Sequence, residues 1–182
     1  MARILILFAH PALEKSRVHA QLLTALKGIQ GVTLHDLYEV YPDMNIDVRH
    51  EQSLLLQHDI ILLQHPLYWY SAPAIIKQWM DLVLEHGWAY GHTGTALRGK
   101  YLGNVISAGA QESSYHPNGW HKHSITDFLL PFHQTATLCN MQYLQPYVVY
   151  GTHRLSYAGI REEAVAYRQM LEKLRDGQLQ IQ

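Results

Sequence analysis

Arg3-Ile4-Leu5-Ile6-Leu7-Phe8 is an apolar run that stops at His10-Pro11. A strand with one wet face alternates apolar and polar residues, so a run apolar at successive positions belongs to a strand covered on both faces, as in a parallel sheet. The same signature returns in Asp59-Ile60-Ile61-Leu62-Leu63-Gln64-His65-Pro66. Between the two, Ser16 can cap a helix running to Ile29, with Leu22, Leu23, Leu26 and Ile29 on one stripe and Gly28 and Gly31 bounding its end. Val32 to Leu37 alternates as a shorter strand, and Asp47 can cap a helix to His58 that buries Leu54 and Leu55. After the second buried strand, Ser71-Ala72-Pro73 starts a helix whose apolar face is Ile75, Ile76, Trp79, Met80 and Val83. Tyr101 to Ser107 reads as a fourth strand, Ser124 to Cys139 as a helix interrupted near Pro131, and Tyr147-Val148-Val149-Tyr150 as a fifth strand. Ser156 caps the last helix, where Ile160, Ala164, Tyr167, Leu171 and Leu174 share one side before Gly177. Strand and helix alternate five times, which predicts an α/β doubly wound parallel sheet of order 2-1-3-4-5 with helices on both faces.

The 182 residues suit one domain, 1–182, with a Gln-rich tail from Gln178 to Gln182 expected to fray. At 48% hydrophobic and 16% charged residues, the chain is not intrinsically disordered. Fourteen Lys+Arg against 15 Asp+Glu give no basic field for nucleic acid or anionic lipid, so the expected partners are small molecules or protein. A lone cysteine, Cys139, excludes an intramolecular disulfide and a Cys-based zinc or iron–sulfur site, which suits the reducing cytosol. The apolar start is too short for a signal peptide, and no run approaches the ~18 apolar residues of a membrane span. Both features agree with a cytoplasmic location. Thirteen histidines predict a charge that swings positive in mild acid.

In such a sheet, ligands bind beyond the carboxyl ends of the strands at the switch point between strands one and three. Three loops meet there: His10 to His19, Pro66 to Pro73, and Ser107 to His121. The first opens a helix whose early N–H groups, near Ser16, Arg17, Val18 and His19, can hold a phosphate, with His10 and the Ser16 hydroxyl as side-chain candidates. The plain alternative is that Ser16 only caps the helix and His10 only ends a strand. The second, Pro66-Leu67-Tyr68-Trp69-Tyr70-Ser71, sets three aromatics in a row, a wall suited to a flat heterocycle or, equally, to a dimer patch. In the third, Ser107-Ala108-Gly109-Ala110 lets backbone approach a ligand closely.

The segment His65-Pro66-Leu67-Tyr68-Trp69-Tyr70-Ser71-Ala72-Pro73-Ala74-Ile75-Ile76-Lys77-Gln78-Trp79, followed by His86-Gly87-Trp88-Ala89-Tyr90-Gly91, resembles the flavodoxin-like NAD(P)H:quinone reductase family. Together with Ala9-His10-Pro11 and Tyr41-Pro42-Asp43-Met44-Asn45-Ile46-Asp47, it is most similar to the branch holding the ancillary subunits of bacterial glutathione-gated potassium efflux systems. The resemblance runs in order from about Ile4 to Tyr150. It implies a flavodoxin-like fold and a flavin cofactor, FMN on grounds of size, with FAD as the alternative. It also implies NAD(P)H and a quinone-like electrophile as substrates in two-electron, ping-pong hydride transfer.

Carried over residue by residue, the resemblance gives His10 and Ser16 to His19 to the flavin phosphate. Pro66, Leu67, Tyr68, Trp69 and Tyr70 go to one side of the ring, and Ser107, Ala108, Gly109 and Ala110 to its other edge. Tyr115 and His121, with Gly119 between, match a tyrosine–histidine pair implied to donate hydrogen bonds to the flavin pyrimidine oxygen as negative charge develops there. The chain departs from the family's Thr-Thr-Gly-Gly at Ser107 to Ala110, and from its usual asparagine at His19. A homodimer is implied, with Trp69, Tyr70, Trp88 and Tyr90 lining the substrate cavity, as is a potassium efflux antiporter at the inner membrane as partner. A regulatory binding subunit with little or no redox activity is the rival reading.

Other motifs carry less. His116, His121 and His123 share one loop without a carboxylate or cysteine at ligand spacing except Glu112, so a metal site ranks below the hydrogen-bonding role of His121. Gly28-Ile29-Gln30-Gly31 ends a helix where a dinucleotide fingerprint would open one. Arg98 and Lys100 read as solvated loop charges, and Cys139 as a structural thiol.

Overall fold

The computed structural model of the chain describes residues 1–178. The tail expected to fray therefore lies, beyond Gln178, outside the described residues. The strands are β1 (Ile4–Phe8), β2 (Val32–Asp36), β3 (Ile60–Pro66), β4 (Tyr101–Ser107), β5 (Gln142–Tyr143) and β6 (Tyr147–Val149). The helices are α1 (Arg17–Ala25), α2 (Leu37–Val40), α3 (Val48–Gln57), α4 (Ala74–Val83), α5 (Ile125–Phe128), α6 (Leu130–Leu138) and α7 (Tyr157–Arg175). All strand pairs are parallel, in the order β2-β1-β3-β4, with β5 and β6 both pairing with β4. The fifth position of the sheet is thus one interrupted strand. Pro146, which has no N–H to give to a ladder, sits in the break. The expected strand at Tyr147 stops one residue early, at Val149, and gains the upstream piece β5.

Every residue of β1 is fully buried because successive side chains point to opposite faces and both faces are covered. Leu5 and Leu7 join Ile61 and Leu63 of β3 beneath α3, α4 and α6, whereas Ile4, Ile6 and Phe8 join Ile60 and Leu62 beneath α1 and α7. Helix starts fall where the capping oxygens sit: Ser16, Asp47, Ser124 and Ser156 accept from the amides of His19, His50, Asp127 and Gly159. The break near Pro131 falls at Leu129, between α5 and α6. Helix α2 is an addition: the Asp36 carboxylate ends β2 and accepts from the Tyr38 and Glu39 amides, so strand passes directly into helix. The last helix closes on Gly177 at φ +67°, with Gln178 N–H donating to the Lys173 carbonyl at 2.9 Å.

Candidate active site

The carboxyl ends of β1, β3, β4 and β6 face one cavity of about 430 Å³, within the range of small-ligand sites. His10, Lys15, Ser16, Arg17 and Val18 line it from the β1–α1 side, Pro66, Leu67 and Tyr68 from the end of β3, Ser107 and Gly109 from the end of β4, and Thr152 and His153 from the loop after β6. Among the described residues, the Arg17 and Val18 amides have no acceptor, so the start of α1 offers two N–H groups and its dipole. Ser16 both caps the helix and lines the cavity, so the two readings of that residue are compatible. His10 Nδ1 accepts from the Ala12 amide at 3.2 Å. Burial lowers its pKa, with Glu14 opposing, so the ring is neutral and its proton sits on Nε2.

The side chains of two residues of this turn are engaged by the protein itself. Arg17 sends its guanidinium away to the Thr152 and Leu155 carbonyls, at 3.2 and 2.8 Å, and over the Tyr157 ring at 5.2 Å. Its side chain ties the loop after β6 to α1 through Nη2, and its amide stays open to a ligand. His19 is fully buried, and its amide is used by the Ser16 cap. Its side chain instead bonds Ser107 Oγ through Nε2 at 2.9 Å, so it meets the cavity only through that hydroxyl. The reason is helical geometry: His19 shares the inward face of α1 with Val18 and Leu22.

After β3, Tyr68 and Ser71 exchange backbone hydrogen bonds at 3.1 and 3.0 Å around Trp69 and Tyr70, at φ +49° and +62°. Two consecutive positive-φ residues mark a type I′ pattern that normally takes Asn-Gly, and bulky residues there store about 1–3 kcal/mol each. The turn is held from behind. Leu67 N–H donates to the Ser107 carbonyl at 2.8 Å. Buried His65 bonds the Pro66 carbonyl through Nδ1 at 3.0 Å and Asn104 Nδ2 through Nε2 at 3.1 Å, and the Tyr143 hydroxyl donates to Asn104 Oδ1 at 2.6 Å. Burial pushes His65 down to about 4, so it is a neutral pin.

A second cavity of about 230 Å³ adjoins the first at Leu67 and Gly109 and is lined by Trp69, Tyr70, Ala110, Tyr115 and His121. Tyr115 and His121 stack with ring centroids 4.5 Å apart, and Tyr70 meets His121 edge-on at 5.4 Å. Burial pushes the Tyr115 phenol up, so it is a protonated donor. Gly119 permits this packing, because a Cβ there would lie 2.6 Å from the Ser113 and Ser114 carbonyls. His121 Nε2 is shielded from water and, among the described residues, has no hydrogen-bond partner. An unsatisfied buried polar atom of this kind costs about 1–3 kcal/mol. Ala108 is buried, and its amide is spent on the Val149 carbonyl, so it shapes the turn and does not line either cavity.

Trp88 and Tyr90, expected at the substrate cavity, are partly buried and pack one side against the core. Lys100 is not a solvated charge: its Nζ donates to the His58 and Leu56 carbonyls at 2.6 and 3.3 Å, closing the end of α3. Cys139 lies in the core, where burial pushes its thiol up. His116 accepts from the Asn118 amide, and His123 faces Asp127 at 3.9 Å. Among the described residues, the group close enough to share an ion is His35, His50 and Glu51. There the fully buried Glu51 carboxylate already accepts from His35, Tyr41 and Trp79 at 2.7, 2.6 and 2.7 Å. Among the described residues, no helix is long and apolar enough to cross a membrane.

The family described as a flavodoxin-like fold matches residues 2–173. The chain belongs to that family. A relative from Pectobacterium carotovorum subsp. carotovorum (strain PC1), glutathione-regulated potassium-efflux system ancillary protein KefG, is 44% identical over 169 residues, 93% of this chain and 92% of the relative. The crystal structure of general stress protein 14 from Treponema denticola, in complex with FMN, superposes with a TM-score of 0.90 at 37% identity, covering 94% of this chain and 99% of that one. An NADPH-quinone reductase from P. pentosaceus superposes with a TM-score of 0.84 at 38% identity, covering 92% and 96%.

Proposed function

We propose that this chain is an FMN-dependent NAD(P)H:quinone oxidoreductase working by two-electron, ping-pong transfer. The observation that carries the reading is the pair of joined cavities. One has a cation, Lys15, and unspent helix amides; the other has an aromatic wall in which His121, whose buried Nε2 has no partner among the described residues, stacks on the Tyr115 ring. A flat heterocycle with a phosphate tail matches that polarity, and the relative of TM-score 0.90 is a complex with FMN.

Bound FMN would supply the two-electron carrier between NAD(P)H and quinone. Ser16, His10, Lys15 and the Arg17 and Val18 amides hold the phosphate. Leu67, Tyr68, Trp69, Tyr70 and Gly109 hold the ring and exclude water from it. Tyr115 O–H and His121 N–H donate toward negative charge developing on the ring, in place before it develops, so that no solvent reorganisation is needed. Trp69 of the second cavity and Trp120, next to His121 in sequence, are 93% and 84% exposed and are the surface on which a second copy of the chain would complete a shared substrate pocket.

A second reading, that the chain is an ancillary subunit of a potassium efflux antiporter at the inner membrane, is favoured by the 44% identity to the efflux-system protein. The two are compatible. The deciding experiment is the visible spectrum after FMN loading and desalting, followed by anaerobic NADPH. A retained band that bleaches supports the oxidoreductase. A protein that retains no flavin leaves the ancillary role, tested by capture of an antiporter's cytosolic domain.

A further inference from the structure

Behind the first cavity, four buried or half-buried polar side chains from four elements form a chain with one direction. Tyr167 of α7 is fully buried, and its hydroxyl donates to Gln64 Oε1 at 2.7 Å, its one partner among the described residues. Burial pushes this phenol up, so it keeps its proton. A buried O–H without an acceptor is costly, so Gln64 must turn its carbonyl to Tyr167. Its amide then faces His19 Nδ1, 3.4 Å away. Burial, reinforced by His10 and His65, holds the His19 ring down to about 3, so it carries a single proton. With Nδ1 accepting, that proton sits on Nε2 and goes to Ser107 Oγ at 2.9 Å. Ser107 is thereby an acceptor from behind, and its own proton is left for the cavity it lines.

We propose that Tyr167, Gln64 and His19 are positioning residues that fix the Ser107 hydroxyl as a hydrogen-bond donor to an oxygen of bound FMN. The inference rests on the flavin reading and deepens it. Reversing the chain would strand the Tyr167 proton and would turn the Ser107 proton back to His19, leaving lone pairs facing the ligand. The His65 carbonyl also approaches the His19 ring, and a proton drawn to it on Nδ1 is the competing arrangement.

The tautomer is read directly by ¹⁵N NMR of histidine-labelled protein at pH 7, with the His19 signal assigned by its loss in His19→Asn. The Nε2–H form is expected, with and without FMN. An Nδ1–H form or a charged ring overturns the proposal, and this measurement needs no altered Tyr167. The consequence is read from FMN dissociation constants of the parent, Ser107→Ala, Tyr167→Phe and the double variant. Ser107→Ala should weaken binding by about tenfold and Tyr167→Phe by about threefold, whereas the double variant should match Ser107→Ala alone. Losses that multiply in a parent that binds FMN overturn the inference and leave the flavin reading standing. A parent that binds no FMN, whichever tautomer it holds, overturns both.

Discussion

Replacing His121 with phenylalanine should make the FMN-free protein more stable and the FMN-loaded protein slower. The buried, unpartnered Nε2 costs about 1–3 kcal/mol, and phenylalanine removes that atom while keeping a ring to stack on Tyr115, where the centroids are 4.5 Å apart, and to meet Tyr70 at 5.4 Å. Phenylalanine is slightly larger than histidine, and some of the gain is spent on repacking. A net gain of about 1 kcal/mol is expected, which raises Tm by about 2–4 °C for a domain of this length. Removing one preorganised donor to developing charge typically slows chemistry by about 10²–10³, and a half-exposed site such as this one should fall toward the low end. Thermal scans of FMN-free parent and H121F, paired with stopped-flow reduction at saturating NADPH, test both halves. If FMN-free H121F is less stable than the parent, Nε2 has a partner in solution. If its reduction rate is unchanged, His121 is not a donor in the reaction.

Three further outcomes follow from the same geometry. Lys15→Ala should weaken FMN binding by about three- to tenfold at low salt and by less at high salt, because Lys15 is exposed and screened; titration at two ionic strengths checks it. Trp69→Asn should gain about 0.5–1 kcal/mol in the FMN-free protein, measured by urea unfolding, because Asn tolerates the φ of +49° and Trp69 at 93% exposure loses little packing. Burial holds His19 and His65 down to about 3 and about 4, against 6.5 when unfolded, so the unfolded chain binds more protons as pH falls below 6.5 and stability is lost there. Between pH 7 and pH 5 the two should cost about 4 kcal/mol together, and urea midpoints for the parent and His65→Gln should show that the variant loses less.

The strands and helix starts are legible because each is a local signal. A strand buried on both faces must be apolar at successive positions, and a cap must carry its oxygen at one residue, as Ser16, Asp47, Ser124 and Ser156 do. The fifth strand's division into β5 and β6 leaves pieces too short for a periodic pattern, and their place is set by pairing with β4. Thr152 and His153 join the cavity through the convergence of strand ends far apart in sequence, which no local pattern records, whereas Lys15 lies within the His10 to His19 loop already expected there. His19 and Glu51 were open to a closer reading. His19 is three residues before Leu22, and Glu51 four before Leu55, so both lie on the buried faces of their helices. A polar residue on such a face requires a buried partner, which Ser107 supplies to one and His35, Tyr41 and Trp79 to the other.

The placement of these buried partners bears on how the site works. Its two ends do different electrostatic work: the α1 end offers the exposed Lys15 cation and free amides, and the Tyr115–His121 end offers a phenol and an imidazole. A site of mobile side chains would have to order itself around each new charge. Here Ser107, Pro66 and Leu67, which touch the cavity at its middle, are held from behind by His19 and His65, both neutral at physiological pH. A charged histidine at either position would put a positive field under the ring and would change with pH. A neutral ring, bonded through both nitrogens, supplies direction without charge. The strained Trp69–Tyr70 turn can then persist, because Tyr68 and Ser71 close its base and Leu67 N–H anchors it to β4, so the aromatic wall is fixed in place before a ligand arrives.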